Sequence, residues 1–80
     1  MSNLSFEQQL IIAATQAIIA KHDVVVKDEV VASLLNLELD TLKNKRCQGD
    51  KDIPKYAQLK GKRVFMASDI AEFMVKSKKF

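Results

Sequence analysis

The sequence predicts one small domain that is mainly α-helical and carries a single β-hairpin. Two apolar patterns with helical spacing follow each other between residues 28 and 48. A period-two pattern around Gly61 occupies residues 56–66. Only two Gly and one Pro occur in 80 residues, so we find no flexible linker and assign residues 1–80 to one domain near the lower size limit for an independent core.

The first expected helix covers residues 5–20. Ser5 is a suitable N-cap, and Gln8 three residues later completes a capping-box pattern. A broad face, which we expect to pack on the domain, carries Phe6, Leu10, Ala14 and Ala17, with Ile11 and Ile18 at its flank. Ile12 and Ile19 lie seven residues apart on a second, narrow stripe. This stripe is either a further part of the core or the seam of a dimer.

A short extended segment and a second helix come next. Val24–Val26 is rich enough in β-branched residues to form a strand or an extended linker. The helix then begins near Asp28, where acidic side chains suit the positive end of the helix dipole. Its buried stripe consists of Val31, Leu34 and Leu35. Asn36 tolerates the left-handed conformation that ends a helix, and Leu37 fills the corner.

The third helix extends from about Glu38 to Gln48. Leu39, Leu42 and partly Lys45 are expected to point inward. The outer face then carries Asp40, Lys43, Asn44 and Cys47, bordered by Thr41, Arg46 and Gln48. Residues 28–48 thus contain a helix, a helix-ending Asn, an apolar residue in the turn and a second, basic helix. This order is typical of a helix-turn-helix, although the segment alone also fits an ordinary helical hairpin.

A basic hairpin and a last helix complete the chain. Ala57 and Leu59 alternate with Gln58 and Lys60, and Val64 and Met66 alternate with Arg63 and Phe65. Gly61 supplies the positive φ of a tight turn, so residues 56–66 form a hairpin with Lys60, Lys62 and Arg63 at its tip. Ser68 is expected to cap a helix over residues 68–77. Its buried stripe is Ile70, Phe73 and Met74, and Lys76, Lys78 and Lys79 follow.

The net charge of +3 is unevenly distributed along the chain. Residues 1–42 carry two basic and six acidic side chains. Residues 43–63 carry eight basic and two acidic side chains, a net charge of +6, and residues 64–80 carry three basic and two acidic ones. The positive charge therefore begins at the third helix and continues through the hairpin. A polyanion-binding face explains this clustering better than general solubility does.

Several function classes find no support in the sequence. It has no phosphate-binding glycine-rich loop, no nucleophile paired with a base and no paired carboxylates in a plausible cleft, so we expect neither an enzyme nor a cofactor. One His and one Cys argue against a zinc site. The apolar run 10–20 is shorter than the roughly 20 residues that cross a bilayer, so no membrane partner is expected. The single Cys47 fits a reducing, cytoplasmic compartment.

The order of these elements resembles the winged helix-turn-helix domains of phage excisionases and MerR-type regulators, including AlpA-like prophage regulators. The similar residues are Val31–Leu37, Thr41, Leu42, Gly49, Pro54, Leu59–Val64, Ser68–Ile70 and Phe73, within residues 26–75. Lys27 and Glu38 depart from the family, which usually has Ser or Thr at those helix caps. Lys45 stands where an apolar or aromatic residue is common, and the helix of residues 5–20 is outside the family core.

The resemblance implies sequence-specific binding of double-stranded DNA. Lys43, Asn44 and Arg46 would lie in the major groove, and the wing residues Lys62 and Arg63 along the backbone or in the minor groove. With their polar neighbours, the predicted DNA-binding residues are Thr41, Lys43, Asn44, Arg46, Gln48, Lys60, Lys62 and Arg63.

The resemblance also implies a phage or mobile-element setting. The protein would act as a recombination directionality factor or as a small transcriptional regulator. Its expected partners are double-stranded DNA, further copies of itself as a homodimer or an array on DNA, and an integrase or RNA polymerase. The alternative is a protein-interaction module that uses the helix of residues 5–20, with the basic face incidental.

Overall fold

A computed structural model describes residues 4–77, which form four α-helices and a small three-stranded antiparallel sheet. The elements are α1 Phe6–Lys21, β1 Val25–Val26, α2 Asp28–Leu35, α3 Leu39–Gln48, β2 Ala57–Leu59, β3 Lys62–Met66 and α4 Ala67–Ser77. The predicted class, mainly helical with a small hairpin, is confirmed. The segment Val24–Val26, which allowed a strand or a linker, contributes β1 as a third strand.

Helix α1 begins with the predicted capping box. The Gln8 backbone N–H donates to Ser5 Oγ at 3.1 Å, and the Ser5 backbone N–H donates to Gln8 Oε1 at 3.0 Å. These two bonds satisfy amide groups that the first turn of a helix otherwise leaves without partners. The helix ends at the cap residue His22, whose backbone N–H donates to the carbonyl of Ile18 at 2.8 Å.

The face of α1 that packs on α4 differs from the predicted one. Ile18 is buried, and Ile11 and Ala14 pack against the same core, whereas Phe6 is 80% exposed and Ala17 is also exposed. The predicted face included two alanines. A face centred on Ile11 and Ile18 removes more apolar surface from water, which favours the observed orientation.

The stripe of Ile12 and Ile19 lies outside the core of the domain. Their exposed fractions are 44% and 39%. The interpretation of this stripe as a further part of the core is therefore wrong. Its interpretation as a dimer seam stays a prediction.

Helices α2 and α3 are separated by the predicted left-handed stop. Asn36 has φ 58° and ψ 42°, and the following Leu37 N–H donates to the carbonyl of Ala32 at 2.8 Å. Gly49, with φ 69°, ends α3 in the same conformation. The N-cap residues of the two helices, Lys27 and Glu38, form no side-chain cap hydrogen bond, as expected for residues without a short polar side chain.

Strand β3 is the centre of the sheet, in the order β1-β3-β2. Val26 pairs with Phe65 on one side, and Leu59 pairs with Lys62 on the other. The turn between β2 and β3 has φ 52° at Lys60 and 79° at Gly61, the two consecutive positive values of a type I′ hairpin turn. The predicted hairpin is confirmed, but the predicted apolar alternation is not: Phe65, which the pattern grouped with Arg63, is fully buried, and Leu59 is 47% exposed.

Helix α4 follows β3 without a connecting loop. It begins at Ala67, so Ser68 is its second residue. The prediction that Ser68 is the N-cap is therefore wrong. The Ala67 N–H donates to the carbonyl of Val24 at 2.8 Å, and this backbone bond ties the start of the helix to the segment before β1. Ile70, Ala71 and Val75 are buried, whereas Phe73 and Met74 are half-buried. Lys78 and Lys79 lie outside the described residues.

Gly61→Val is expected to lower the free energy of unfolding by about 1–2 kcal/mol, because a β-branched residue is strongly disfavoured at positive φ. A Cβ atom built on Gly61 meets no other atom within 4 Å, so backbone strain alone causes the loss. Urea denaturation measures it. Lys60→Gly at the neighbouring positive-φ position serves as the control and should be close to neutral. Equal stability of Gly61→Val and the wild type would contradict the described turn.

Candidate nucleic-acid interface

The outer face of α3 is polar and open to solvent. Leu42 is fully buried and Leu39 half-buried, which fixes the rotation of the helix about its axis. The opposite side presents exposed Asp40, Lys43, Asn44, Cys47 and Gln48, and Thr41 lies half-buried at its border. We call Asp40, Lys43, Asn44, Cys47 and Gln48 the outer face of α3. An exposed helix face with Lys, Asn and Gln offers the donors and acceptors that read base edges in a major groove.

The hairpin tip presents a second group of exposed cations. Lys60, Lys62 and Arg63 all lie on the surface around the type I′ turn. Lys62 stands opposite Leu59 and Arg63 opposite Gln58 in the register of β2 and β3. The turn thus gathers three positive side chains within four residues of chain. We call Lys60–Arg63 the wing tip.

Arg46 is not at the border of the outer face, where the sequence pattern placed it. Its guanidinium donates from Nη1 and Nη2 to the two carboxylate oxygens of Asp28 in α2, at 2.9 and 3.0 Å. Only 12% of its side chain is exposed. The hydrogen bond to Asp28 raises the pKa of Arg46 above its ordinary value, against the opposing effect of burial. This bidentate pair joins α2 to α3.

A chain of aromatic contacts continues from Arg46 to the hairpin of β2 and β3. The Arg46 guanidinium lies over the Phe65 ring, 5.3 Å from its centroid. Phe65 meets Tyr56 edge to face, with ring centroids 6.3 Å apart. Arg63 lies over the Tyr56 ring at 5.8 Å. Both cations are within the distance at which an aromatic face attracts a guanidinium. These contacts couple α3 to the root of the hairpin.

The sequence contained a signal for the inward position of Arg46 that we did not use. Arg46 follows Leu42 by four residues and Leu39 by seven, so it continues the buried stripe of α3. A basic residue on a buried stripe needs an acidic partner, and the partner proves to be Asp28. Nothing in the pattern identifies that particular carboxylate, because it lies on another helix.

Two further carboxylates neutralise Lys45, whereas the cations of α3's outer face and of the hairpin tip have no acidic partner among residues 4–77. Lys45 Nζ lies 3.4 Å from Asp50 and 3.8 Å from Asp52. The pKa of Asp50 is lowered mainly by the hydrogen bond from the Asp52 backbone N–H. Within the part of the chain that the structure describes, no ion pair involves the side chains of Lys43, Lys60, Lys62 and Arg63. Their positive charge is therefore available to an anionic ligand.

Two other kinds of site have no counterpart in the described residues. Among residues 4–77, no three His, Cys, Asp or Glu side chains come together in a way that could hold a metal ion. None of the helices in this range is long and apolar enough to span a membrane.

Comparison with protein-family models, with curated proteins and with solved structures gives no significant match for this chain.

Proposed function

We propose that this protein binds double-stranded DNA as a winged helix-turn-helix domain. The outer face of α3 enters the major groove, and the wing tip lies along the neighbouring backbone. One observation carries the proposal: Lys43 on α3 and Lys60, Lys62 and Arg63 on the hairpin are exposed without an acidic partner in the described chain. The contacts from Arg46 through Phe65 and Tyr56 to Arg63 support a rigid arrangement of the two surfaces.

The two surfaces have different tasks in this proposal. Lys43 and Asn44 contact base edges, since Lys pairs with guanine and Asn pairs with adenine. Thr41 and Gln48 flank them. The wing cations contact phosphates, which contribute affinity but no sequence information. Arg46 is left out of the proposed contacts because its donors are engaged by Asp28.

The proposed setting is a phage or other mobile element in a bacterial cytoplasm. The protein would direct recombination together with an integrase, or regulate transcription by RNA polymerase. Both roles use the same kind of DNA contact, and the proposal rests on the resemblance described above. The presence of an integrase gene beside the coding sequence would favour the first role.

Lys62→Ala is expected to weaken binding to a random-sequence duplex and to flatten its salt dependence. Loss of one phosphate contact lowers the slope of log K against log salt concentration by about 0.9 for duplex DNA. Fluorescence anisotropy between about 50 and 200 mM salt measures this slope. Lys21→Ala is the control, because Lys21 is an exposed cation at the end of α1. An unchanged slope for Lys62→Ala, or no binding at low salt, would overturn the proposal.

A further inference from the structure

The exposed side of α1 carries a seven-residue repeat. The segment from Gln9 to Thr15 reads QLIIAAT, and the segment from Gln16 to His22 reads QAIIAKH. Four identical pairs repeat at this spacing. Ile11 is half-buried and Ile18 is buried, whereas the other three pairs are exposed: Gln9 and Gln16, Ile12 and Ile19, and Ala13 and Ala20. A period of seven with apolar residues on one seam is the pattern by which two helices pack side by side.

This exposed side is also free of charge. Residues 8–20 contain no acidic or basic side chain, although 29% of the chain is charged. An exposed face of a surface helix normally carries charged and polar groups. DNA and acidic protein surfaces bind to cationic side chains, and this face has none. An uncharged, partly apolar helix can pack against it. The same face on a second copy of the chain meets this requirement.

We propose that α1 pairs with α1 of a second copy, antiparallel, about a two-fold axis at the level of Ala14. In this register Gln9 lies level with Ile19 of the second copy, and Ile12 lies level with Gln16. Each layer then combines one isoleucine with one glutamine, whose amide reaches water at the edge of the seam. Ala13 and Ala20 are small and allow the two helices to come close.

The ends of α1 favour the antiparallel orientation. Glu7 stands in the first turn and Lys21 in the last turn of the helix. Antiparallel pairing brings the acidic end of one helix level with the basic end of the other, although Glu7 and Lys21 themselves lie on the side of Ala14 and not on the seam. The two helix dipoles then oppose each other. Parallel pairing would instead place like charges and like dipole ends together, which costs free energy.

The seam is short, which sets the expected strength of the pair. It is only about two heptads long, so the area that it buries is smaller than the roughly 800 Å² per partner of a standard stable interface. We therefore expect reversible association in the micromolar range. On a single DNA molecule, two neighbouring copies would associate more strongly because their effective concentration is higher.

Sedimentation of the full chain over a range of concentrations tests the pairing. The wild type should shift from monomer to dimer, and the double variant Ile12→Gln with Ile19→Gln should stay monomeric with unchanged helix content. Leu59→Gln is the matched control, because Leu59 is 47% exposed, much like Ile12, but lies in β2 and not in α1. A monomeric wild type would overturn the proposal, as would an equal loss of dimer in Leu59→Gln.

Thiol cross-linking tests the orientation. With Cys47→Ser as background, Ala13→Cys should be cross-linked by a short bifunctional maleimide, because Ala13 lies close to the two-fold axis. Gln9→Cys should not be, since its two copies are separated by ten residues along the helix axis, about 15 Å. Cross-linking of Gln9→Cys as efficient as that of Ala13→Cys would show a parallel pair and overturn the proposed register.

Discussion

Arg46→Ala is expected to lower the free energy of unfolding by about 2–4 kcal/mol, because it leaves the Asp28 carboxylate without its bidentate partner. Asp28 is only 24% exposed, so water replaces the lost donors incompletely. The variant also loses the contact of the guanidinium with the Phe65 ring. A domain of this size is expected to have a total stability of about 4–12 kcal/mol, so the loss is a large fraction of it. Urea denaturation measures the change.

A double-mutant cycle separates the ion pair from other effects of the substitution. Asp28→Ala and Arg46→Ala together should cost less than the sum of the single variants, with a coupling of about 0.5–3 kcal/mol. Arg46→Lys keeps the charge but cannot donate two parallel bonds, and it should be intermediate. If Arg46→Ala kept full stability and lost DNA binding, Arg46 would contact DNA, as the family resemblance implies.

Local features of the fold were predictable from the sequence. The capping box at Ser5, the left-handed Asn36 and the positive φ of Gly61 each depend on a few neighbouring residues and on the conformations that those residues permit. Short-range rules are enough to identify these positions. The four helices and the hairpin follow from the same kind of information.

Features that depend on contacts between elements were not predictable in this way. Helix α4 begins one residue before Ser68, at Ala67, whose N–H donates to the carbonyl of Val24, more than forty residues earlier in the chain. Arg46 faces inward because α2 supplies Asp28 at that point. The period of the apolar residues indicates which residues share one face of a helix or strand. It does not indicate which other element packs against that face, because this depends on the tertiary structure.

The stripe on α1 shows the same limit for the candidate interaction site. The seven-residue spacing of Ile12 and Ile19 is plain in the sequence, yet it fits a core stripe and a dimer seam equally well. The choice depends on which side of α1 packs on α4, and that side is centred on Ile18. A two-fold pair of domains formed through α1 would present two copies of α3 to two half-sites on DNA.

Asn44→Ala is expected to cost about 1–3 kcal/mol of binding free energy on a preferred DNA site and little on random DNA. Asn44 is exposed in the middle of the outer face of α3, where its amide can donate to and accept from an adenine edge. The substitution removes this pair of bonds but no charge, so the electrostatic attraction to phosphates is unchanged. Helix content and stability should also remain, since the side chain lies on the surface. Circular dichroism and urea denaturation check this control.

The most direct test of DNA recognition by α3 is the affinity of Asn44→Ala and Lys62→Ala for a selected and a random duplex. The wild type first selects its preferred site from a pool of random duplexes, and both variants are then titrated against both DNAs. We predict that Asn44→Ala loses affinity for the selected site alone, whereas Lys62→Ala weakens binding to both DNAs by a similar factor. Failure to enrich any sequence, or an equal loss for Asn44→Ala on both duplexes, would contradict base readout by the outer face of α3.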